Sequence, residues 1–117
     1  MGSARGEPEG TRPAAAPERA TPTVQRVLLL ASGGRRIAVP VGQVAEVFRP
    51  LPVRPLAGTP DWLDGVAVVR GQATPVVRLG VLLGAADATV SRFVSLKLGA
   101  RTVVLGVAEV IGVRAID

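Results

Sequence analysis

The chain has 117 residues, enough for one modest domain, and 48% of them are apolar. It contains no Cys and no His, which excludes disulfides and cysteine nucleophiles and removes both the commonest general base and the commonest metal ligand. Its formal charge is +5, with thirteen Arg and one Lys scattered singly or in pairs. This composition disfavours most enzyme classes and leaves a basic surface that could attract nucleic acid or an anionic membrane.

The first 23 residues are rich in Pro, Ala, Gly, Glu and Arg and show no apolar periodicity. This composition predicts a disordered tail over residues 1–23 and a folded domain over residues 24–117. The tail lacks the apolar core of a signal peptide, and no apolar run in the chain approaches the ~18 residues of a membrane span. We therefore expect a soluble, cytoplasmic protein with no direct membrane insertion.

Short strands and turns are predicted for the first part of the folded domain. The adjacent Gly33 and Gly34 are a hairpin signal, because Gly tolerates the positive φ of a tight turn. Prolines farther on remove strand hydrogen-bond donors, so that segment should be an edge strand or an irregular crossing segment. The predicted elements are strands Val24–Ala31 and Arg36–Val41, one helical turn through Val41, Val44 and Val47, and a proline-interrupted strand Val47–Arg54.

The middle of the chain begins with a helix-start signal, since Thr59 is a natural N-cap and Pro60 suits the first helical position. The run Val66–Val69 suits a strand buried on both faces, because it is apolar throughout. After a tight turn at Arg70-Gly71-Gln72, the strand pattern resumes over Ala73–Val77. An apolar helical turn then begins at Leu79 and is closed by Gly84.

The last part of the chain predicts three more strands. Ser91–Leu98 alternates, with Phe93, Ser95 and Lys97 on one face of the strand. A turn at Gly99-Ala100-Arg101 leads to the apolar strand Thr102–Ala108, and Glu109–Ile116 continues extended with a bulge or bend at Gly112. Seven or eight short strands with regular turn signals predict an all-β fold of the small-barrel or sandwich type.

Four charged or aromatic positions are candidate functional residues. Asp61 and Asp64 could form a carboxylate pair or a metal site, but no third ligand is nearby, and Asp61 is better explained as an acid in the first turn of a helix. Trp62 is interpreted as a core residue rather than a stacking platform. Arg70 ends an apolar run, so it either reaches water or meets a buried carboxylate. We predict no catalytic, metal or cofactor site.

Five segments, in this order, resemble the CheW-like domain, the coupling module of bacterial chemosensory arrays. They are IAVPV after the glycine turn, VAEVF, the proline-bearing approach to GVAVVRG, TPVVRL, and VVLGVAEVIGVRAI. The resemblance spans residues 24–117. This sequence departs from the family pattern at Val68 (Asn in the family), Arg78 (Asp) and Ala108 (Asp), and it ends before the family's last strands and C-terminal helix.

The resemblance implies a pair of small β-barrels with short helical turns, the second barrel incomplete, in a divergent and C-terminally shortened member or a fragment. It also implies an ion pair between Glu46 and Arg70 in the groove between the barrels. Both charges lie within apolar runs, which favours an ion pair over two side chains that reach solvent independently. An incomplete barrel leaves an exposed strand edge, at which self-association is possible.

The function implied by the resemblance is that of a non-catalytic adaptor. It would link the cytoplasmic tip of a chemoreceptor to the regulatory domain of a CheA-type histidine kinase, with no cofactor and no small-molecule substrate. The protein-interaction groove would be formed by Val44, Glu46, Arg70 and Gly71. The alternative is a basic small-barrel protein that binds nucleic acid, which would need surface aromatics interleaved with Arg. Only three aromatic residues are present.

Overall fold

The computed structural model describes residues 24–86 and 88–116, so the predicted disordered tail lies outside the described residues. Strands dominate the described chain, and the all-β prediction is confirmed. The elements are β1 (Gln25–Ser32), β2 (Arg35–Pro40), a 3₁₀-helical turn (Val41–Gln43), β3 (Val44–Phe48), β4 (Leu63–Val69), β5 (Gln72–Arg78), α1 (Leu79–Leu82), β6 (Arg92–Leu98), β7 (Arg101–Val107) and β8 (Glu109–Ile116). No helix among the described residues is long and apolar enough to cross a membrane.

The strands form two sheets. The smaller sheet has the order β2-β1-β8 and is antiparallel, and β1 is joined to β2 by the predicted glycine hairpin. The larger sheet has the order β3-β6-β7-β5-β4, with β5 and β7 parallel and every other neighbouring pair antiparallel. The predicted bulge in β8 is confirmed, because the pairing with β1 skips Ile111 beside Gly112.

The larger sheet closes on itself through the segment that follows β3. β3 and β4 are opposite edges of this sheet, yet Arg54, downstream of β3, forms an isolated antiparallel bridge with Val66 of β4. The Arg54 N–H donates to the Val66 carbonyl at 2.8 Å, and the Val66 N–H donates to the Arg54 carbonyl at 2.9 Å. Of the two predicted alternatives, the proline-rich segment is therefore the irregular crossing segment and not an edge strand, since β3 ends at Phe48. Its bridge to β4 closes the larger sheet into a barrel.

Two apolar cores result from this arrangement. One core lies inside the larger sheet, where Phe93 packs edge-on against Phe48 with ring centroids 5.9 Å apart. The other core joins the two sheets and includes Leu30 of β1 together with Val94 of β6. β6 serves both cores because its successive side chains point to opposite faces, as the alternation predicted. A Val-rich chain with few aromatics can therefore bury both faces of its central strands.

The predicted helical turn at Thr59 is wrong. The Thr59 hydroxyl donates to the Leu56 carbonyl at 3.0 Å instead of capping a helix. A single turn follows, in which the Leu63 N–H donates to the Pro60 carbonyl, and β4 then begins. The Arg78 N–H donates to the Trp62 carbonyl at 2.7 Å, so the chain at Trp62 is paired with β5 instead of forming a helix.

Two burial expectations are also wrong. Val68 is 65% exposed between the buried Ala67 and Val69, so Val66–Val69 is an edge strand with one covered face. An apolar run on an edge strand has the same composition as one in a central strand, and composition alone cannot separate them. Trp62 is 37% exposed and lies in the turn before β4, so it is not a core residue.

A half-buried ion pair ties β4 to the end of β5. Arg78 Nε lies 2.9 and 3.1 Å from the two carboxylate oxygens of Asp64, and Arg78 Nη1 donates to the Ala88 carbonyl at 2.7 Å. The exposed fractions of the Arg78 and Asp64 side chains are 33% and 22%. The departure from the family pattern at Arg78 is therefore matched by a carboxylate on the neighbouring strand.

We expect Arg78→Ala to lower the free energy of unfolding by about 2 kcal/mol, since it leaves a half-buried carboxylate and a carbonyl without their donor. Urea denaturation measures this change. Arg92→Ala is the control, because Arg92 is exposed and, within residues 24–86 and 88–116, its side chain bonds only to the carbonyl of its neighbour Ser91. If the two variants differ by less than about 0.5 kcal/mol, the range of ordinary surface substitutions, the pair does not stabilise the fold as described.

Gly65→Ala should destabilise the protein by about 4 kcal/mol, because it adds backbone strain to a steric clash. Gly65 has φ +141°, and a Cβ there would overlap the Arg54 carbonyl, lying 2.7 Å from its carbon. Gly34→Ala is the matched control, since Gly34 has φ +78° with open space around it and should lose only about 1 kcal/mol. Equal losses in thermal or urea unfolding would show that the close approach is unimportant.

Candidate functional site

A groove of about 550 Å³ lies on the concave face of the larger sheet. We call it the concave groove. Its lining includes Val44 and Glu46 of β3, Arg70 from the β4–β5 turn, Gln72 of β5, and Ser95 and Lys97 of β6. All of its lining residues come from the larger sheet, its β4–β5 turn or the 3₁₀-helical turn before β3. The groove therefore lies within the larger sheet, and the predicted position between the two barrels is wrong.

The predicted ion pair between Glu46 and Arg70 is confirmed, and it lies in this groove. Arg70 Nε donates to Glu46 Oε1 at 2.7 Å, and Arg70 Nη2 donates to Glu46 Oε2 at 3.2 Å, which is a two-pronged contact. The hydrogen bond to Glu46, and then the negative charge of Glu46, raise the pKa of Arg70 above its ordinary value. The pair is open to solvent, because the Arg70 side chain is 79% exposed and that of Glu46 is 33% exposed.

The β4–β5 hairpin turn positions Arg70. Val69 and Gln72 are the last paired residues of the hairpin, so Arg70 and Gly71 form a two-residue loop. Both have positive φ, 50° for Arg70 and 79° for Gly71, the conformation of a type I′ turn. Asn, Asp or Gly is usual at the first position of such a turn, and Arg70 is the only non-glycine residue with positive φ among the described residues.

A β-bulge positions Glu46 on the opposite side of the groove. The pairing of β3 with β6 shifts between Val44 and Glu46, so that Val44 faces Leu96 and Glu46 faces Ser95. Ala45 is the extra residue, and a bulge of this kind changes the direction in which the following side chain points. β3 and the β4–β5 hairpin belong to opposite edges of the sheet, and the curl of the sheet brings Glu46 to Arg70.

Three of the four predicted groove residues line the same groove in the structure. Val44, Glu46 and Arg70 line the concave groove, and Gly71 lies beside Arg70 in the exposed turn. The prediction missed the polar part of the lining on β5, β6 and β7, which includes Lys97. The alternation of β6 did place Ser95 and Lys97 on one face, but only the order of strands in the sheet shows that this face lines the groove.

The remaining carboxylate candidates do not form a shared site. Asp64 is held by Arg78, and Asp61 is exposed in the turn before β4, outside any helix. Its predicted role as an acid in the first helical turn is therefore wrong. Within residues 24–86 and 88–116, no group of three or more His, Cys, Asp or Glu residues could hold a metal ion. The chemistry that the concave groove offers is charge pairing and hydrogen bonding.

Comparison with known proteins relates these features to a family. The model of the CheW-like domain family matches residues 26–117. Protein PilI from Pseudomonas aeruginosa is 40% identical over 52 residues, which are 44% of this chain and 29% of PilI. The chain thus matches less than a third of the length of that relative.

A solved structure agrees in fold. The crystal structure of scaffolding protein TtCheW from Thermoanaerobacter tengcongensis has a TM-score of 0.74 to this chain at 20% sequence identity. The superposition covers 81% of this chain and 67% of TtCheW. At that identity the likeness concerns the fold alone. The family model, in contrast, spans both sheets and both members of the Glu46–Arg70 pair, and on that basis this chain belongs to the CheW-like domain family.

Proposed function

We propose that this chain is a non-catalytic scaffold of a bacterial chemosensory array that couples a chemoreceptor to a histidine kinase. Membership of the CheW-like domain family supports the scaffold role. The partners proposed are the cytoplasmic tip of the receptor and the regulatory domain of the kinase. The scaffold would organise the kinase relative to the receptor, and no chemical step on this chain is required.

The observation that carries the proposal is the exposure of the Glu46–Arg70 pair. An ion pair open to water contributes little to the stability of a fold, because solvent screens both charges. Arg70 also occupies a positive-φ turn position that other residues adopt more readily. A two-pronged contact with little structural benefit, at the rim of a groove, favours a role in recognition.

Glu46 would act by fixing the direction of the Arg70 guanidinium. In the described part of the chain, Glu46 engages Nε and Nη2 of Arg70, and Nη1 remains able to donate to a partner. A side chain that is held before binding loses less conformational entropy on binding, so the pair is preorganised for recognition. Lys97 adds a second cation in the same groove, and Val44 adds apolar area. We infer that the partner presents a carboxylate and an apolar side chain to this groove.

Two of the departures from the family pattern have different consequences: one affects the fold, and the other affects the surface offered to a partner. Arg78 is committed to Asp64 and to the Ala88 carbonyl, so the charge change at this position concerns the fold. Val68 is exposed on the outer face of the β4–β5 hairpin, so the change from Asn to Val alters the surface offered to a partner.

Charge reversal tests the role of the concave groove. We expect Arg70→Glu to weaken binding of the full chain to a receptor-tip helical hairpin at least tenfold, because it removes the donor and places two carboxylates together. Glu46→Gln should weaken binding about threefold, since it leaves the Arg70 cation in place but less firmly held. Isothermal titration calorimetry measures both. Arg92→Glu is the matched control, because Arg92 is exposed and lies outside the residues that line the groove.

Receptor-tip binding that is the same for Arg70→Glu and Arg92→Glu would contradict the proposed groove. Tight binding to duplex DNA or RNA that falls steeply with salt, without receptor or kinase binding, would instead support the nucleic-acid alternative. A titration of each partner at two salt concentrations separates the two functions.

A further inference from the structure

A second groove, of about 590 Å³, lies on the outer face of the β4–β5 hairpin. Its lining consists of Pro52, Val53 and Arg54 from the crossing segment, Val66 and Val68 of β4, and Ala73 of β5. We call it the outer groove. It shares no lining residue with the concave groove, and the proposed function makes no use of it.

The edge of β4 offers free backbone groups in the outer groove. The bridge with Arg54 shows that the N–H and C=O of Val66 point away from β5. Along a strand this direction recurs at every second residue, so the N–H and C=O of Val68 point the same way. Among the described residues, no backbone group is hydrogen-bonded to these two groups of Val68.

Pro52 explains why the pairing stops. In an antiparallel ladder, the pair that follows Arg54 and Val66 is Pro52 and Val68. Proline has no N–H, so it cannot donate to the Val68 carbonyl, and a ladder does not continue through it. Both residues line the outer groove without a backbone hydrogen bond between them. The crossing segment thus leaves one step of the strand edge unpaired.

The side chains of the outer groove combine apolar surface with one positive charge. Val68 is 65% exposed, and its cross-strand neighbour Ala73 is also exposed. Arg54 is the only charged residue in the lining, and no carboxylate within hydrogen-bonding distance of it is found in the described part of the chain. Arg54 is paired with Val66, so its side chain lies on the same face as Val68. The surface is therefore complementary to an extended segment that presents an apolar and an acidic side chain two residues apart, on one face.

We propose that the outer groove binds an extended acidic peptide segment of a partner protein, which adds a short strand to the edge of β4. The N–H and C=O of one peptide residue pair with those of Val68, as in other cases of strand addition. An apolar peptide side chain packs on Val68 and Ala73, and an acidic side chain two residues along, on the same face, meets Arg54. A second copy of this chain pairing through the same edge would bring two Arg54 side chains to one patch, which like-charge repulsion disfavours.

The test uses a fluorescein-labelled eight-residue peptide, capped at both ends, in which every second residue is in turn valine or glutamate and threonine stands between them, so that valine and glutamate share one face. It is titrated with the full chain. Fluorescence anisotropy measures its affinity. We expect Arg54→Glu to weaken binding at least tenfold and Val68→Asn to weaken it about threefold. Arg92→Glu, the exposed control, should leave it within twofold. The same peptide with lysine in place of each glutamate should bind at least tenfold more weakly than the glutamate peptide.

A backbone-modified peptide separates strand addition from simple apolar contact. Methylation of successive peptide nitrogens, one at a time, should weaken binding about fivefold at the position that pairs with Val68, since one hydrogen bond is lost. Amide hydrogen exchange at Val68 should slow on addition of the unmodified peptide.

Three results would each overturn the proposal: no binding of the glutamate peptide, equal binding of the glutamate and lysine peptides, or indifference to methylation at every position. Arg54→Glu should retain receptor-tip binding, because Arg54 does not line the concave groove. Failure of the outer groove is thereby distinguished from failure of the scaffold function.

Discussion

The contact on which this structure depends is the antiparallel bridge between Arg54 and Val66. It joins the crossing segment that follows one edge strand of the larger sheet to the other edge strand, and so closes the sheet. The close approach requires a residue without a Cβ at Gly65, whose φ is +141°. Closure brings Glu46 of β3 to the hairpin that carries Arg70. The pairing stops after Arg54 and Val66, and the unpaired edge of β4 beyond them forms the outer groove. Both surfaces thus follow from one backbone contact.

Much of the fold and the central ion pair could be predicted from the sequence. Val-rich runs separated by glycine turns specify short strands and hairpins locally, without information on distant residues. Glu46 and Arg70 could be predicted as partners because each interrupts an apolar run and because the family resemblance pairs these positions. Their exposure could not be predicted, since an apolar run on either side does not show whether a strand end is covered.

What the sequence could not predict depends on strand order and register. The pairing of Asp64 with Arg78 joins residues on two strands and requires the register shift between Leu63 and Gly65, which no local pattern specifies. At Thr59 a good capping sequence competes with pairing to β5, and tertiary pairing decides the outcome. Apart from Glu46 and Arg70, the polar lining of the concave groove comes from three strands, whose adjacency is a property of the whole sheet.

The β4–β5 hairpin presents different chemistry on its two faces because side chains alternate along a strand. Val69 faces the interior and lines the concave groove beside Arg70, whereas Val68, the preceding residue, faces outward. A ligand on one face does not have to displace a ligand on the other. The hairpin is short, and its strand β4 is held at the middle by the bridge from Arg54 to Val66 and at the end by the tight turn at Arg70. A single rigid element can therefore hold two partners at a defined separation, which is the physical requirement for a scaffold.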